Sequence, residues 1–255
     1  MTANYKHRKD VYSVRGAVAG FKYLSLYGPF QSLLDVGAGT GTWMRAAQEA
    51  GIQSVYGLDG VGATQREFLS DRDKLQVQDL RQAFNLHRRF DCVICLEVAE
   101  HLNESSAKTL IASLCNHGDQ IFFSAAGPGQ WGQGHVNCQP PAYWQALFNA
   151  QGFACFDDVR WQMWYDLEIE PWYRQNIFRA VRQPAQAGSE PRISCVVHPA
   201  MLAFYMDYCA GMEAGKMPLD HYSRMAARAI MHRAGRLIRF LHAGIDSSRG
   251  GRSTP

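Results

Sequence analysis

Residues 33–43, LLDVGAGTGTW, constrain this chain more than any other stretch. Leu33, Leu34 and Val36 make a short apolar run of strand length. Gly37, Gly39 and Gly41 follow at alternate positions, and a helix-compatible stretch then runs to Gly51. The order is strand, tight turn, helix. Glycine in such a turn lets the backbone take φ > 0 and lets a ligand approach the main chain closely. A dinucleotide fold would space its glycines GxGxxG. Here the spacing is GxGxG, with Thr42 in the place of the third dinucleotide glycine. No GxxxxGKS or GxxxxGKT phosphate loop is present, which argues against a nucleoside triphosphate. Asp35, two residues before the first glycine, suits a cationic ligand better than a phosphate.

The rest of the chain alternates strand-like and helix-like segments. Strands are predicted over residues 32–36, 54–58, 75–78, 90–96, 120–124, 153–159 and 176–181. Helices are predicted over 11–27, 42–50, 62–70, 104–114 and 143–151. Alternation of this kind is the pattern of a parallel α/β sheet. The run FDCVICL at 90–96 is apolar enough for a central strand buried on both faces. At 255 residues, 47% of them hydrophobic, the chain can bury a full α/β core and an appendage. A net charge of +3 favours no polyanionic partner. Seven cysteines are scattered and odd in number, and no apolar leader opens the sequence. Together these predict free thiols in a reducing cytoplasm. Cys92 and Cys95 form a CxxC, but residues three apart in a strand face opposite sides, so a metal or redox pair is not expected there.

The segment LLDVGAGTG resembles the first motif of the class I S-adenosylmethionine (SAM)-dependent methyltransferases, an aliphatic pair and an acid followed by x-G-x-G-x-G. The resemblance covers about residues 30–182. It implies a Rossmann-like, seven-stranded, mostly parallel sheet of order 3-2-1-4-5-7-6, with strand 7 antiparallel and helices on both faces. It also implies that SAM is held by Asp35, Gly37, Ala38, Gly39 and Gly41. Asp59 and Gly60 close the second strand 18 residues or so after Gly41, where the family places an acid on the ribose hydroxyls. A carboxylate has two oxygens for a vicinal diol. Asp79 would hold the adenine amino group, with Leu80 against the ring and Leu96 at the end of strand 4. The segment EVAEHL, residues 97–102, is similar to the motif after strand 4 in the ubiquinone-type and related small-molecule methyltransferases.

Between strand 5 and the next helix lies a loop over residues 125–144, rich in glycine, proline and amides, with His135 inside it. A loop of this length in a compact domain is usually functional. Methyl transfer to a neutral hydroxyl needs a general base or an acidifying metal, and His135 is the candidate base. Glu97, Glu100 and His101 share one face of a helical turn by the i, i+3, i+4 rule. With His135 they form a candidate set for a divalent metal. A similar ExxEH with a distant histidine binds a divalent ion in the small-RNA 2′-O-methyltransferases, whereas many metal-free relatives carry EH at this position. Residues 160–175 hold Trp161, Trp164, Tyr165, Trp172 and Tyr173, read as a substrate wall.

The expected organisation is a helical cap over residues 1–30, the methyltransferase core over 31–182 and a linker over 183–191. A helical, arginine-rich extension over 192–255 follows and ends in a disordered tail. Ile230, Ala234, Leu237 and Leu241 recur at helical spacing among Arg224, Arg228, Arg233, Arg236 and Arg239. Residues 222–242 therefore suit a membrane surface, a partner or a second copy of the chain. The expected reaction is O-methylation of a small molecule or glycan. Methylation of a small amine or amino sugar is the alternative, and a SAM-binding partner subunit without turnover is the alternative from another class. A nucleic acid acceptor is disfavoured, since the core lacks an NPPY-type motif and carries no RNA-binding module.

Overall fold

The computed structural model describes residues 13–60 and 68–233. The helix expected over 62–70 and the tail beyond residue 233 lie outside the described residues in large part.

Seven strands form one sheet: β1 (Ser32–Val36), β2 (Ser54–Asp59), β3 (Leu75–Val77), β4 (Cys92–Leu96), β5 (Gln120–Ser124), β6 (Phe153–Phe156) and β7 (Phe178–Arg182). Their order is β3-β2-β1-β4-β5-β7-β6. The first five pair in parallel, and β7 runs antiparallel to both β5 and β6. This is the sheet expected from the sequence. Around it lie α1 (Val14–Leu24), α2 (Thr42–Glu49), α3 (Ala107–His117), α4 (Pro141–Asn149), α5 (Asp158–Met163) and α6 (Pro171–Asn176).

Strand alternation divides the core into two layers. Leu33, Cys92, Ile94 and Phe122 face one side, packed with residues of α1, α2, α5 and α6. Leu34, Val93, Cys95 and Phe123 face the other, packed with α3 and α4. Each fully buried Leu or Phe contributes roughly 1.5–3 kcal/mol. The same alternation sends Cys92 and Cys95 to opposite faces, and both are free thiols whose ionisation burial opposes.

Helix α1 begins at Ser13, whose side chain caps the Gly16 N–H at 2.8 Å. Two glycines let it approach its neighbours closely. A Cβ at Gly16 would overlap the Glu170 carboxylate, and one at Gly20 would press on the Trp43 ring. Tyr23 donates to Asp166 at 3.0 Å and Arg15 pairs with Glu168. The helix is thus fastened along residues 166–170.

Three strand boundaries differ from expectation by two residues or more, the first being that of β4, which begins at Cys92 rather than at residue 90. β6 stops at Phe156, and Val159 enters α5 instead. Asp158 starts that helix and takes a bidentate pair from Arg179 at 2.7–3.0 Å, which turns the chain out of the sheet. β7 begins at Phe178, because Asn176 closes α6. Trp161 and Tyr165, expected in a substrate wall, are exposed, while Tyr173 is buried edge-on to Trp43 at 5.2 Å.

The first compact unit runs to Met201. Glu190 is tied to Gln145 at 3.0 Å and to the Cys155 N–H at 3.1 Å, and Ile193 and His198 are buried. The second unit begins at Leu202 and contains most of α7 (Pro199–Glu213) and a helix over residues 219–233.

Candidate functional site

The carboxyl ends of β1, β2, β4 and β5 share one edge of the sheet, where open α/β sheets bind ligands. β1 delivers Asp35, and the chain then turns through Gly37, Gly39 and Gly41 with φ of +88°, +54° and +79°. L residues rarely adopt this region. A Cβ at Gly37 would also overlap the Val98 side chain. The turn is fixed from β2: Gly37 and Ala38 N–H groups donate to the Leu58 carbonyl at 2.7 and 3.0 Å. Asp59 Oδ2 accepts from the Gly39 N–H at 2.8 Å.

Asp35 is buried, and its Oδ2 has no hydrogen-bond partner. Burial first, and the charge of Asp59 second, push its carboxyl up to about 8. A buried acid beside a second acid calls for a cation. Asp59 is buried as well, and Gly60 follows it at the surface. Asp79 is exposed and bound by its neighbour Arg81, with Nε at 2.8 Å and Nη2 at 2.7 Å, which holds its carboxyl down to about 2. Leu80 and Leu96 are both buried, one in each core layer.

Across Val98 from the glycine turn stands the post-β4 segment. Glu97 has φ +56°, unusual for a residue with a side chain and costing on the order of 1–3 kcal/mol. Ser124, at the end of β5, holds it there: its carbonyl and hydroxyl oxygens accept from the Glu97 N–H at 3.0 and 3.1 Å. Asn176 Nδ2 donates to both Glu97 carboxyl oxygens at 3.0 and 3.3 Å, and Gln130 Nε2 donates at 3.4 Å. Asn176 and Gln175 both donate to Gln130 Oε1, at 2.9 and 3.0 Å. Gln175 Oε1 accepts from the His198 N–H at 2.8 Å. Burial nevertheless raises the Glu97 carboxyl to about 7. No spacing rule singles out these amides, because they come from a loop and from α6. The only sequence signal was the amide-rich composition of the loop.

Residues 99–101 form one 3₁₀ turn. Glu100 in it is fully buried, and neither carboxyl oxygen has a hydrogen-bond partner. Desolvation, reinforced by the Glu97 charge, pushes its carboxyl well above the carboxylate range. The Glu100 carbonyl accepts from the Val136 and Asn137 N–H groups at 2.8 and 3.0 Å, which ties the 125–140 loop back to the turn. His135 is thereby set edge-on to His101, ring centroids 5.0 Å apart. One donor atom each from Glu100, His101 and His135 lies within 4.8 Å of the others. Glu97 stands outside this set. Its positive φ breaks the helical face expected for 97, 100 and 101, and the amides claim its carboxylate.

His135 Nδ1 lies 3.0 Å from the Gln130 carbonyl, so Nδ1 carries the proton and Nε2 keeps the lone pair. The ring packs over Gly132, where a Cβ would overlap Nε2. Burial lowers the His135 pKa, which favours the neutral ring. A separate cleft of about 410 Å³, lined by Tyr143, Asn149, Gly188 and Arg192 among others, includes none of these groups.

Residues 15–158 match the family described as a methyltransferase domain. No curated protein matches the chain in sequence. Among solved structures, Streptomyces venezuelae DesVI is similar with a TM-score of 0.51 at 15% identity, over 69% of this chain and 99% of its own. The sugar N-methyltransferase KedS8 from Streptoalloteichus sp. gives 0.48 at 16% identity, over 72% and 97%. The O-methyltransferase of a trans-AT polyketide synthase from Brevibacillus brevis, in complex with S-adenosyl-L-homocysteine, gives 0.47 at 15%, over 79% and 82%.

Proposed function

Because this chain belongs to the methyltransferase-domain family, we propose that it transfers a methyl group from SAM to a hydroxyl of a small molecule or glycan. The observation that carries the cofactor is the pairing of a positive-φ glycine turn with the buried Asp35, whose Oδ2 has no hydrogen-bond partner. SAM fits that pairing: its cationic groups answer the acids, and the glycine turn lets it approach the main chain closely. Gly37, Ala38, Gly39 and Gly41 would line it, and Asp59 would share its carboxylate between Gly39 and the ribose diol. Gly60 and Leu96 would border it, while Asp79 and Leu80 would meet the adenine. When bound, SAM supplies a methyl group on a sulfonium, open to in-line displacement.

The chain's own task is to bring the acceptor within about 3 Å in line and to take its proton. His135 fits the second part, with a neutral ring whose Nε2, beside Gly132, keeps its lone pair. Glu97, held by Asn176 and Gln130 beside Val98, orients the acceptor from the β4 side. Free cysteines agree with a reducing, cytoplasmic setting for the enzyme.

A second reading is favoured by Glu100, a buried carboxyl without a hydrogen-bond partner next to two imidazoles. In that reading a divalent ion on Glu100, His101 and His135 acidifies the acceptor hydroxyl, and Nε2 or Nδ1 serves as ligand rather than base.

Mass spectrometry of products from a panel of sugars and small alcohols, with their amino analogues, tests the reaction. Conversion of SAM with a mass gain of one methyl on a hydroxyl is expected. Methylation confined to the amines would overturn O-transfer. Chelation followed by Mn²⁺ or Co²⁺ separates the two readings. Unchanged turnover after chelation supports the base, and loss restored by either ion supports the metal.

A further inference from the structure

The second compact unit holds a helical pair. Its turn is well tied: the Met217 N–H donates to Tyr222 Oη at 3.1 Å, which donates to the Met212 carbonyl at 2.9 Å. Tyr208 Oη meets His221 Nε2 at 3.2 Å. Beyond this tie, every residue from 223 to 233 is exposed. Leu219, Ala226 and Ile230 fall on one helical face at i, i+7 and i+11, with Leu219 87% and Ile230 67% exposed. Arg224 and Arg228 point away from that face, and Arg233 flanks it. On α7, Leu202 and Met206 at i and i+4 are exposed in the same way. A helix of this length without cover is marginal in water.

We propose that this unit docks on an anionic lipid bilayer, laying its apolar face into the headgroup boundary and its arginines among the lipid phosphates. Charge selects the occupant. From residue 221 to residue 245 there is no acid, and Arg224, Arg228, Arg233, Arg236 and Arg239 all fall within that run. Of the unit's acids, Asp207, Glu213 and Asp220 precede it and Asp246 follows it, and among the described residues Asp220 alone engages it, through Arg224. A second copy seated on the apolar face would leave these arginines without an acid to pair with. An anionic leaflet instead attracts each one, and long arginine side chains reach the headgroups while their stems stay apolar. The sequence continues the apolar period at Ala234, Leu237 and Leu241. The sequence is that of a basic, apolar-rich helix of the interfacial kind, with Met225 and Met231 exposed outside the face of Leu219 and Ile230. It goes beyond the methyl-transfer reading and does not depend on it.

The test is co-sedimentation of the full chain with phosphatidylcholine vesicles, with and without about 30% phosphatidylglycerol, at low and high salt. Binding to the anionic vesicles is expected, with little to the neutral ones and loss at high salt. Arg228→Glu with Arg233→Glu should weaken it by at least about 20-fold. Leu219→Ser with Ile230→Ser should weaken it at low salt too. Both variants should keep the wild-type helical signal in far-ultraviolet circular dichroism, which shows that the unit folds. Equal binding to neutral vesicles, or none to anionic ones, overturns the proposal. So does a dimer that Leu219→Ser with Ile230→Ser dissociates while vesicles capture nothing.

Discussion

Two strand ends meet across Val98, and they are built in opposite ways. At the ends of β1 and β2 the site is made of backbone. Three glycines in the left-handed region alternate over residues 37–41, and Asp59 fastens the turn through the Gly39 N–H. At the ends of β4 and β5 the site is made of side chains. Glu97, the loop residues Gln130 and His135, and Asn176 reach it from three segments, the first and last 79 residues apart. A backbone site tolerates almost no substitution, because the conformation itself excludes other residues. A side-chain site can exchange its groups one at a time and so change acceptor while the cofactor stays fixed.

That contrast is broken most severely at Gly37. Gly37→Val adds a β-branched side chain at φ +88° where a Cβ already overlaps Val98. A loss of SAM affinity of at least about 100-fold is expected by calorimetry. Binding that survives would mean the turn is not the cradle. Asp59→Ala removes one acceptor from the Gly39 N–H and from the ribose diol, so a loss of roughly 10- to 100-fold is expected in the same titration.

The two ends were unequally legible in the sequence for the same physical reason. The glycine turn, the sheet order and the sidedness of Cys92 and Cys95 follow from short-range pattern: φ-permissive residues, apolar runs and alternation. The amide cluster does not, because nothing local requires Gln130, Gln175 and Asn176 to converge. Expecting Glu97 on a helical face with Glu100 and His101 relied on spacing alone. Ser124 and Asn176 set its φ and its partners from elsewhere. The end of β6 was misplaced similarly, since Arg179 in β7 decides where Asp158 turns the chain. Val159 looks like a strand residue only until that contact is known.

Smaller effects sharpen the division. Asn176→Leu leaves Glu97 and Gln130 short of donors in a buried setting. It should lower the melting temperature by roughly 2–8 °C while SAM affinity stays within about threefold. A large loss of SAM binding there would merge the two sites into one. Asp79→Asn should matter least. Its carboxylate is exposed and already satisfied by Arg81, so an effect below about fivefold on SAM binding is expected.

The central claim is that cofactor binding and proton removal reside in separate constructions. The most direct measurement compares His135→Ala with the wild type in SAM affinity and in turnover from pH 5 to 9. Burial holds the His135 pKa below 6.5, so the neutral ring predominates above that value and is lost as pH falls through the lowered pKa. Wild-type turnover should therefore be flat above about pH 7 and fall toward pH 5. The variant should bind SAM within about threefold of wild type yet turn over at least about 100-fold more slowly, without that acid limb. A variant that turns over within a few-fold of wild type, or that loses SAM along with turnover, would contradict it.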